Sequence, residues 1–182
     1  MTRIGFAPGV YDLFHIGHLN VLREARKHCD RLVAGVTSDD LTARLKGRVP
    51  VVPLAERLEI VQGVRYVDEA IVETEVDKLS TWRRVGFHVI FKGDDWLGTP
   101  KWTEYERRFA EVGVDVVYFP YTMHTSSTLL RGALELLSTR QSPEIPSAQL
   151  PEPLHQEGAH EQNVGRQQRA VHDEEDLLAS QE

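Results

Sequence analysis

Two histidines three residues apart, His15 and His18, stand in the segment Gly9-Val10-Tyr11-Asp12-Leu13-Phe14-His15-Ile16-Gly17-His18. In a helix that spacing brings them to adjacent faces of one turn. Gly17 between them lets a ligand come close to the main chain. An apolar run precedes the segment and a helical pattern follows it, so the pair falls where a strand ends and a helix starts. There the free N–H groups and the positive end of the helix dipole suit an anion. A phosphate held there would meet imidazole donors as well as backbone donors. Packing or capping accounts for a lone histidine; it accounts poorly for two of them with a glycine at such a turn.

Other residues with chemical potential are scattered along the chain. Asp94 and Asp95 follow a short apolar run in Gly93-Asp-Asp-Trp96; one suits nucleotide binding and the other a turn cap. Trp96 suits packing against a base or ribose, and equally a core or hinge position. Lys92, at the end of the same run, reads as a phosphate contact or a snorkelling side chain. Ser126, Ser127 and Thr128 open the last helical pattern, where they cap it and leave hydroxyl and N–H groups for a triphosphate; Arg131 follows one turn in. Asp12 reads as a turn-former that fixes the histidine loop. Arg57, on helical spacing alone, reads as an exposed helix residue. Gly93-x-x-x-x-Gly98 is followed by Thr99-Pro100 rather than Lys-Ser/Thr, so it is no phosphate-binding P-loop, and no GxGxxG follows the first strand. His28, His88 and His124 have no metal-ligand spacing with an acid, so a protein-held structural metal is not expected.

The elements that must position these residues alternate. Strands are read at 3–7, 31–36, 69–73, 88–92 and 115–119. Helices are read at 15–29, 39–45, 54–64, near 77–85, and at 101–111 and 127–138. The first helix carries Leu19, Leu22, Ala25 and Cys29 on one stripe. Ser38 caps the second, with Asp39 and Asp40 in its first turn. Residues 46–53 form a Pro-containing loop, and Pro53 suits the first turn of the third helix. Such alternation predicts an α/β fold: a Rossmann-like parallel sheet with helices on both faces. Ligands of such folds bind beyond the carboxyl ends of the strands. That rule selects the loops 8–18, 37–40, 92–100 and 120–128.

The chain has 182 residues, one cysteine and a formal charge of −7. Residues 141–182 hold nine acids and two arginines, which leaves 19 residues of each sign in 1–140. That segment is rich in Gln, Glu and Pro and poor in aromatics, so a single domain over 1–140 followed by a disordered acidic tail is expected. A neutral domain with a negative tail gives no reason to expect nucleic-acid binding. One cysteine excludes an intrachain disulfide and a Cys-rich zinc cluster. No stretch approaches the roughly 20 apolar residues of a membrane helix, and no secretory leader is read at the start. A reducing cytoplasm is the expected compartment, with no membrane partner.

Gly9-Val-Tyr-Asp-Leu-Phe-His15-Ile-Gly-His18 resembles the HxGH signature of the nucleotidyltransferase superfamily, and most closely the cytidylyltransferases that make CDP-glycerol and CDP-ethanolamine. The likeness recurs in order: KGRVPVVPLAERLEIVQGVRYVDEAIV (46–72) is similar to the family's lysine loop, ER pair and RYVDEV-type run, KGDDW (92–96) to its GDDW block, and SSTLLR (126–131) to the end of its RTxGISTT. It covers about residues 3–135. The resemblance implies direct nucleotidyl transfer: an acceptor phosphate oxygen attacks the α-phosphorus of a nucleoside triphosphate, pyrophosphate leaves, and no covalent enzyme intermediate forms. It casts His15, His18 and Lys46 as catalytic, with Lys46 reaching the β- or γ-phosphate. It places Gly9, Val10, Tyr11, Gly17, Arg65, Asp68, Asp94, Ser126, Ser127 and Thr128 at the nucleotide. Asp12, Asp39, Arg57, Trp96, Tyr121 and His124 go to the acceptor. It further implies Mg²⁺ carried with the triphosphate and a homodimer.

The match departs from the family in one block. Where the family has RTxGISTT this chain has Tyr121-Thr-Met-His124-Thr-Ser-Ser-Thr128. Tyrosine cannot copy an arginine's bidentate contact. SSTLLR is also similar to endings found in adenylyltransferases of the superfamily. The leading expectation is cytidylyl transfer from CTP to a small phosphorylated alcohol, glycerol 3-phosphate first. The alternatives are adenylyl transfer from ATP to a sugar phosphate or vitamin-like acceptor, and a nucleotide-binding protein without catalysis.

Overall fold

The structure, a computed structural model, describes residues 1–120 and 125–140. Tyr121, His124 and the tail over 141–182 lie outside the described residues. Five strands form one sheet: β1 (Ile4–Gly9), β2 (Arg31–Thr37), β3 (Glu69–Glu73), β4 (Val89–Gly93) and β5 (Asp115–Phe119). All pair in parallel, in the order β3-β2-β1-β4-β5. The helices are α1 (Ile16–Arg26), α2 (Asp39–Lys46), α3 (Leu54–Gln62), α4 (Lys78–Val85), α5 (Pro100–Glu111) and α6 (Ser127–Arg140).

Side chains alternate along each strand, so one sheet fills two cores. Ala7, Leu32, Ala34, Val89 and Phe91 join Leu22 and Ala25 of α1 and Val61 of α3 in one buried cluster. Their neighbours Phe6, Val33 and Ile90 face the other way, onto Leu79 of α4 and Trp102, Tyr105 and Phe109 of α5. Helices therefore cover both faces, which is the Rossmann-like arrangement expected. The strand order reverses direction between β1 and β4. A crevice opens beyond the carboxyl ends there, the usual ligand position in such sheets. The histidine segment follows β1 and Gly93-Asp-Asp-Trp96 follows β4, so both flank that crevice.

Several boundaries differ from the sequence reading for identifiable reasons. β1 runs on through Pro8 and Gly9; its ladder with β4 covers only Gly5 and Phe6, so the N–H that Pro8 lacks is not needed there. α1 stops at Arg26, and Cys29 packs against the core from beyond its end. Pro53 is the N-cap of α3, not its first turn. The segment after β4 is not all loop: Asp94–Trp96 form one 3-10 turn. Ser38 does cap α2, accepting from Leu41 N–H at 3.2 Å. Gly47 ends that helix with φ +67°, a left-handed cap that holds Lys46 on the last turn.

Candidate active site

His15 is the N-cap of α1: its Nδ1 accepts from Gly17 N–H at 3.0 Å. With Nδ1 an acceptor, the ring proton of the neutral imidazole sits on Nε2. Nε2 lies 3.3 Å from Ser127 Oγ, whose own proton goes to Asp12 O at 2.7 Å. The hydroxyl therefore accepts from His15, and the start of α6 is tied to the start of α1. The His18 ring lies 4.0 Å from the His15 ring, tilted by 30°. Its Nδ1 is buried and has no hydrogen-bond partner. Burial holds both imidazoles below their ordinary proton affinity. For His18 the drop is to about 3, with the charges of His15 and Lys46 adding to it. Two rings this close would repel if both were protonated, so the resting pair is neutral.

The loop that carries the pair is strained and then pinned. Tyr11 (φ +56°) and Leu13 (φ +49°) occupy the left-handed region, which costs a non-glycine residue on the order of 1–3 kcal/mol. The Tyr11 side chain is buried in the core and donates to Ala7 O at 2.9 Å. Asp12 between them is also buried. Its carboxylate accepts from Val51 N–H (3.0 Å), Val52 N–H (2.9 Å) and Arg131 Nη2 (2.6 Å). Burial alone would raise its pKa, but these donors outweigh that and hold it below the usual carboxylate range. One acid thus ties together the histidine loop, the loop ahead of α3, and α6.

The histidine pair opens onto a cavity of about 520 Å³, while Tyr11 and Asp12, expected at the nucleotide and the acceptor, are buried and do not line it. Its wall includes Gly9, Val10, His15, Gly17 and His18 from the β1–α1 turn, Lys46 from α2, Trp96 from the 3-10 turn, and Ser126, Ser127 and Thr128 at the start of α6. Ser126 Oγ also accepts from Leu129 N–H, the capping role. Other parts of the wall carry no mark in the sequence: Val76 follows β3, Lys78 opens α4 and Lys101 lies in the first turn of α5. Lys92, the next-to-last residue of β4, also lies on it. Asp95, not Asp94, is the acid of the GDDW block on the wall. Asp95 folds back over Gly93, where a Cβ would come within 2.4 Å of its carboxylate.

The remaining assignments fall elsewhere. Arg57 is not exposed: only 1% of it is accessible. It donates to Val52 O (2.9 Å), Thr37 O (2.9 Å), Val10 O and Asp39 (2.5 Å). With its donors so used, Arg57 ties the strand ends together, and Asp39 is its partner rather than part of the cavity wall. Asp68 lies at the amino-terminal edge of the sheet, paired with Arg26 (2.5 Å) and accepting from Leu32 N–H (2.7 Å). Arg65 is exposed beside the Tyr66 ring, 5.9 Å from its centroid. Neither lines the cavity, because the turn after α3 carries both away from the strands' carboxyl ends. Among the described residues no group of three or more His, Cys, Asp or Glu side chains is placed to hold a metal ion. No helix among them is long and apolar enough to cross a membrane.

Known proteins share this architecture. An FAD synthase from Thermoplasma acidophilum is 33% identical over 145 residues, 77% of this chain and 99% of its own length. The bifunctional protein HldE of Gluconacetobacter diazotrophicus is 38% identical over 95 residues, 52% of this chain and 20% of that protein, so this chain spans only a small part of the HldE relatives. A crystal structure of the lipopolysaccharide core biosynthesis protein from Thermoplasma volcanium matches 69% of this chain and all of its own, at 28% identity and a TM-score of 0.57. With the model of the cytidylyltransferase-like family matching residues 6–147, over the elements that build the cavity, the chain belongs to that family.

Proposed function

We propose that the chain transfers a cytidylyl group from CTP to a small phosphorylated alcohol, glycerol 3-phosphate first, and releases pyrophosphate. The observation that carries the transfer chemistry is the close-set His15–His18 pair at the helix start, on the wall of a cavity that also presents Lys46, Lys78, Lys92 and Lys101. A phosphomonoester is already a nucleophile, so the site must align two polyanions and neutralise the charge that develops as the α-phosphorus is attacked. His15 and His18 serve as neutral N–H donors to the α-phosphate oxygens, the Nε2–H of His15 passing from Ser127 Oγ to the phosphate when the nucleotide binds. Lys46 meets the β- and γ-phosphates as a point charge. The N–H groups at the starts of α1 and α6 add fixed positive dipole ends. Mg²⁺ carried with the triphosphate would neutralise phosphate charge, and Asp95, the carboxylate on the described cavity wall, would be the residue to hold it. The choice of CTP and of a glycerol-type acceptor rests on the lysine loop, the RYVDEA run and GDDW standing together in sequence. A homodimer, implied by the same resemblance, belongs to this proposal and is tested by sedimentation.

A second reading is adenylyl transfer from ATP. It is favoured by the FAD synthase relative, which matches over nearly its whole length; FAD contains an adenylyl group. Pyrophosphate release measured with CTP or ATP against a panel of phosphomonoesters separates the two. CTP-dependent release with glycerol 3-phosphate supports the first reading and ATP dependence the second. Nucleotide binding without release from any pair would overturn both.

A further inference from the structure

Lys92 is a residue of the cavity wall that the chemistry above leaves without a specific task. It lies on the same face of β4 as Ile90, so it emerges between α4 and α5 just beyond the apolar cluster of Ile90, Trp102 and Tyr105. Its ammonium sits 4.8 Å from the centre of the Trp96 ring and 5.2 Å from that of Trp102. The two indoles meet edge to face, with centres 6.4 Å apart and planes at 64°. Trp102 is buried and held by Tyr105 and Tyr118, while Trp96 is part-exposed at the cavity. The result is a rigid aromatic corner opening on the cavity.

Such corners are how proteins take up alkylammonium groups, because the ring faces carry negative charge. Here the corner is already filled by a cation of the protein's own. The rest of the described wall reinforces that charge. Lys101 and Lys46 lie on it, and Asp95 is its one carboxylate. Lys78 is there too, but its ammonium is matched by the fully buried Glu73 at 3.3 Å. A ligand with a cationic head group would meet an occupied corner and like charge. A phosphomonoester with a neutral or anionic body would meet a free ammonium.

We propose that Lys92, clamped between Trp96 and Trp102, sets acceptor specificity: it selects phosphorylated acceptors with a neutral or anionic body and rejects amino-alcohol phosphates. This rests on the transferase reading of the same cavity and adds the class of acceptor. Burial lowers the Lys92 pKa to about 8, Asp95 opposing and the neighbouring lysines adding; the experiment is therefore run at neutral pH, where the ammonium is charged.

The test compares glycerol 3-phosphate, phosphoethanolamine and phosphocholine as acceptors for the full-length protein, with whichever nucleotide supports pyrophosphate release. The native protein is expected to favour glycerol 3-phosphate. Lys92→Met empties the corner and is expected to shift the ratio of kcat/KM toward phosphocholine by about tenfold or more, while Lys92→Arg keeps the native order. A native preference for an amino-alcohol phosphate, or an unmoved ratio in Lys92→Met, would overturn the proposal. If no acceptor turns over with any nucleotide, it is the transferase reading that fails. Tryptophan-fluorescence titration with the same acceptors then still decides the role of Lys92. Weakened glycerol 3-phosphate binding in Lys92→Met but not in Lys92→Arg supports it, and equal binding in all three proteins refutes it.

Discussion

At the scale of single residues, the transfer chemistry proposed above gives the His15–His18 pair a part in binding as well as in stability. A neutral ring that donates to a developing phosphate charge is a preorganised electrostatic group, and removing one such donor from an enzyme costs about 10²–10³ in kcat. His18→Ala is accordingly expected to lower kcat for pyrophosphate release by that order, with circular dichroism unchanged; turnover near the native rate would remove His18 from the chemistry. The same ring predicts a pH effect on folding. Its pKa is about 3 in the folded protein against an ordinary 6.5. Between those values the unfolded chain binds the proton and the folded one does not. Stability is therefore fully present above about pH 6.5 and is lost as pH falls toward 3. Urea midpoints measured at pH 7 and pH 5 should fall further apart in the native protein than in His18→Asn. Equal pH dependence in the two would show that burial of this ring is not what sets the acid sensitivity.

At the scale of elements, the Arg57 knot decides whether the site is assembled at all. One side chain of α3 bonds the carbonyls of Val10 after β1, Thr37 at the end of β2 and Val52 ahead of its own helix, and pairs with Asp39 at the start of α2. Truncating a buried, fully bonded charge leaves several acceptors without partners and typically costs about 3–5 kcal/mol. Arg57→Ala is expected to lose that much in urea unfolding. Arg57→Lys is expected to recover little, because an ammonium cannot span four acceptors in one plane. The knot also shows where sequence reading stops. The strands were legible because period and apolar content suffice: residues 69–73 and 115–119 match β3 and β5. The turn after β1 was legible because His, Gly and His stand together in the chain. Arg57 was not, since its partners lie at positions 10, 37, 39 and 52, and helical spacing alone assigns such a residue to solvent. Asp68 failed for the converse reason: a motif places it near the site in sequence, while the sheet puts it at the opposite edge. Lys78 at the start of α4 and Lys101 in the first turn of α5 stand at positions that nothing local marks, and only the strand order brings them to one wall.

At the scale of the whole molecule, both apolar clusters and the cavity are built from described residues between Ile4 and Thr128. Deleting residues 141–182 is therefore expected to leave the melting temperature and kcat/KM close to those of the full chain; a large loss of either would give the acidic tail a part in the site or the assembly. The cavity's charge leads to the last expectation. A wall that carries Lys46, Lys78, Lys92 and Lys101 beside two histidines draws like charges together: burial lowers the proton affinity of Lys46 and Lys92, with the charges of Arg48 and Arg131 adding at Lys46 and those of Lys78, Lys46 and Lys101 adding at Lys92. That cost is relieved when a polyanion binds. A ligand bound to the folded state alone, at 100 times its Kd, adds about 2.7 kcal/mol. For a chain of this size each kcal/mol raises the melting temperature by about 2–4 °C. Mg²⁺ with CTP is thus expected to raise it by several degrees at low salt, and by less as ionic strength rises. Under the cytidylyl reading, ATP at the same concentration gives the smaller shift. The reverse order would move the nucleotide choice to ATP. No shift with either would mean that this cavity does not take a triphosphate.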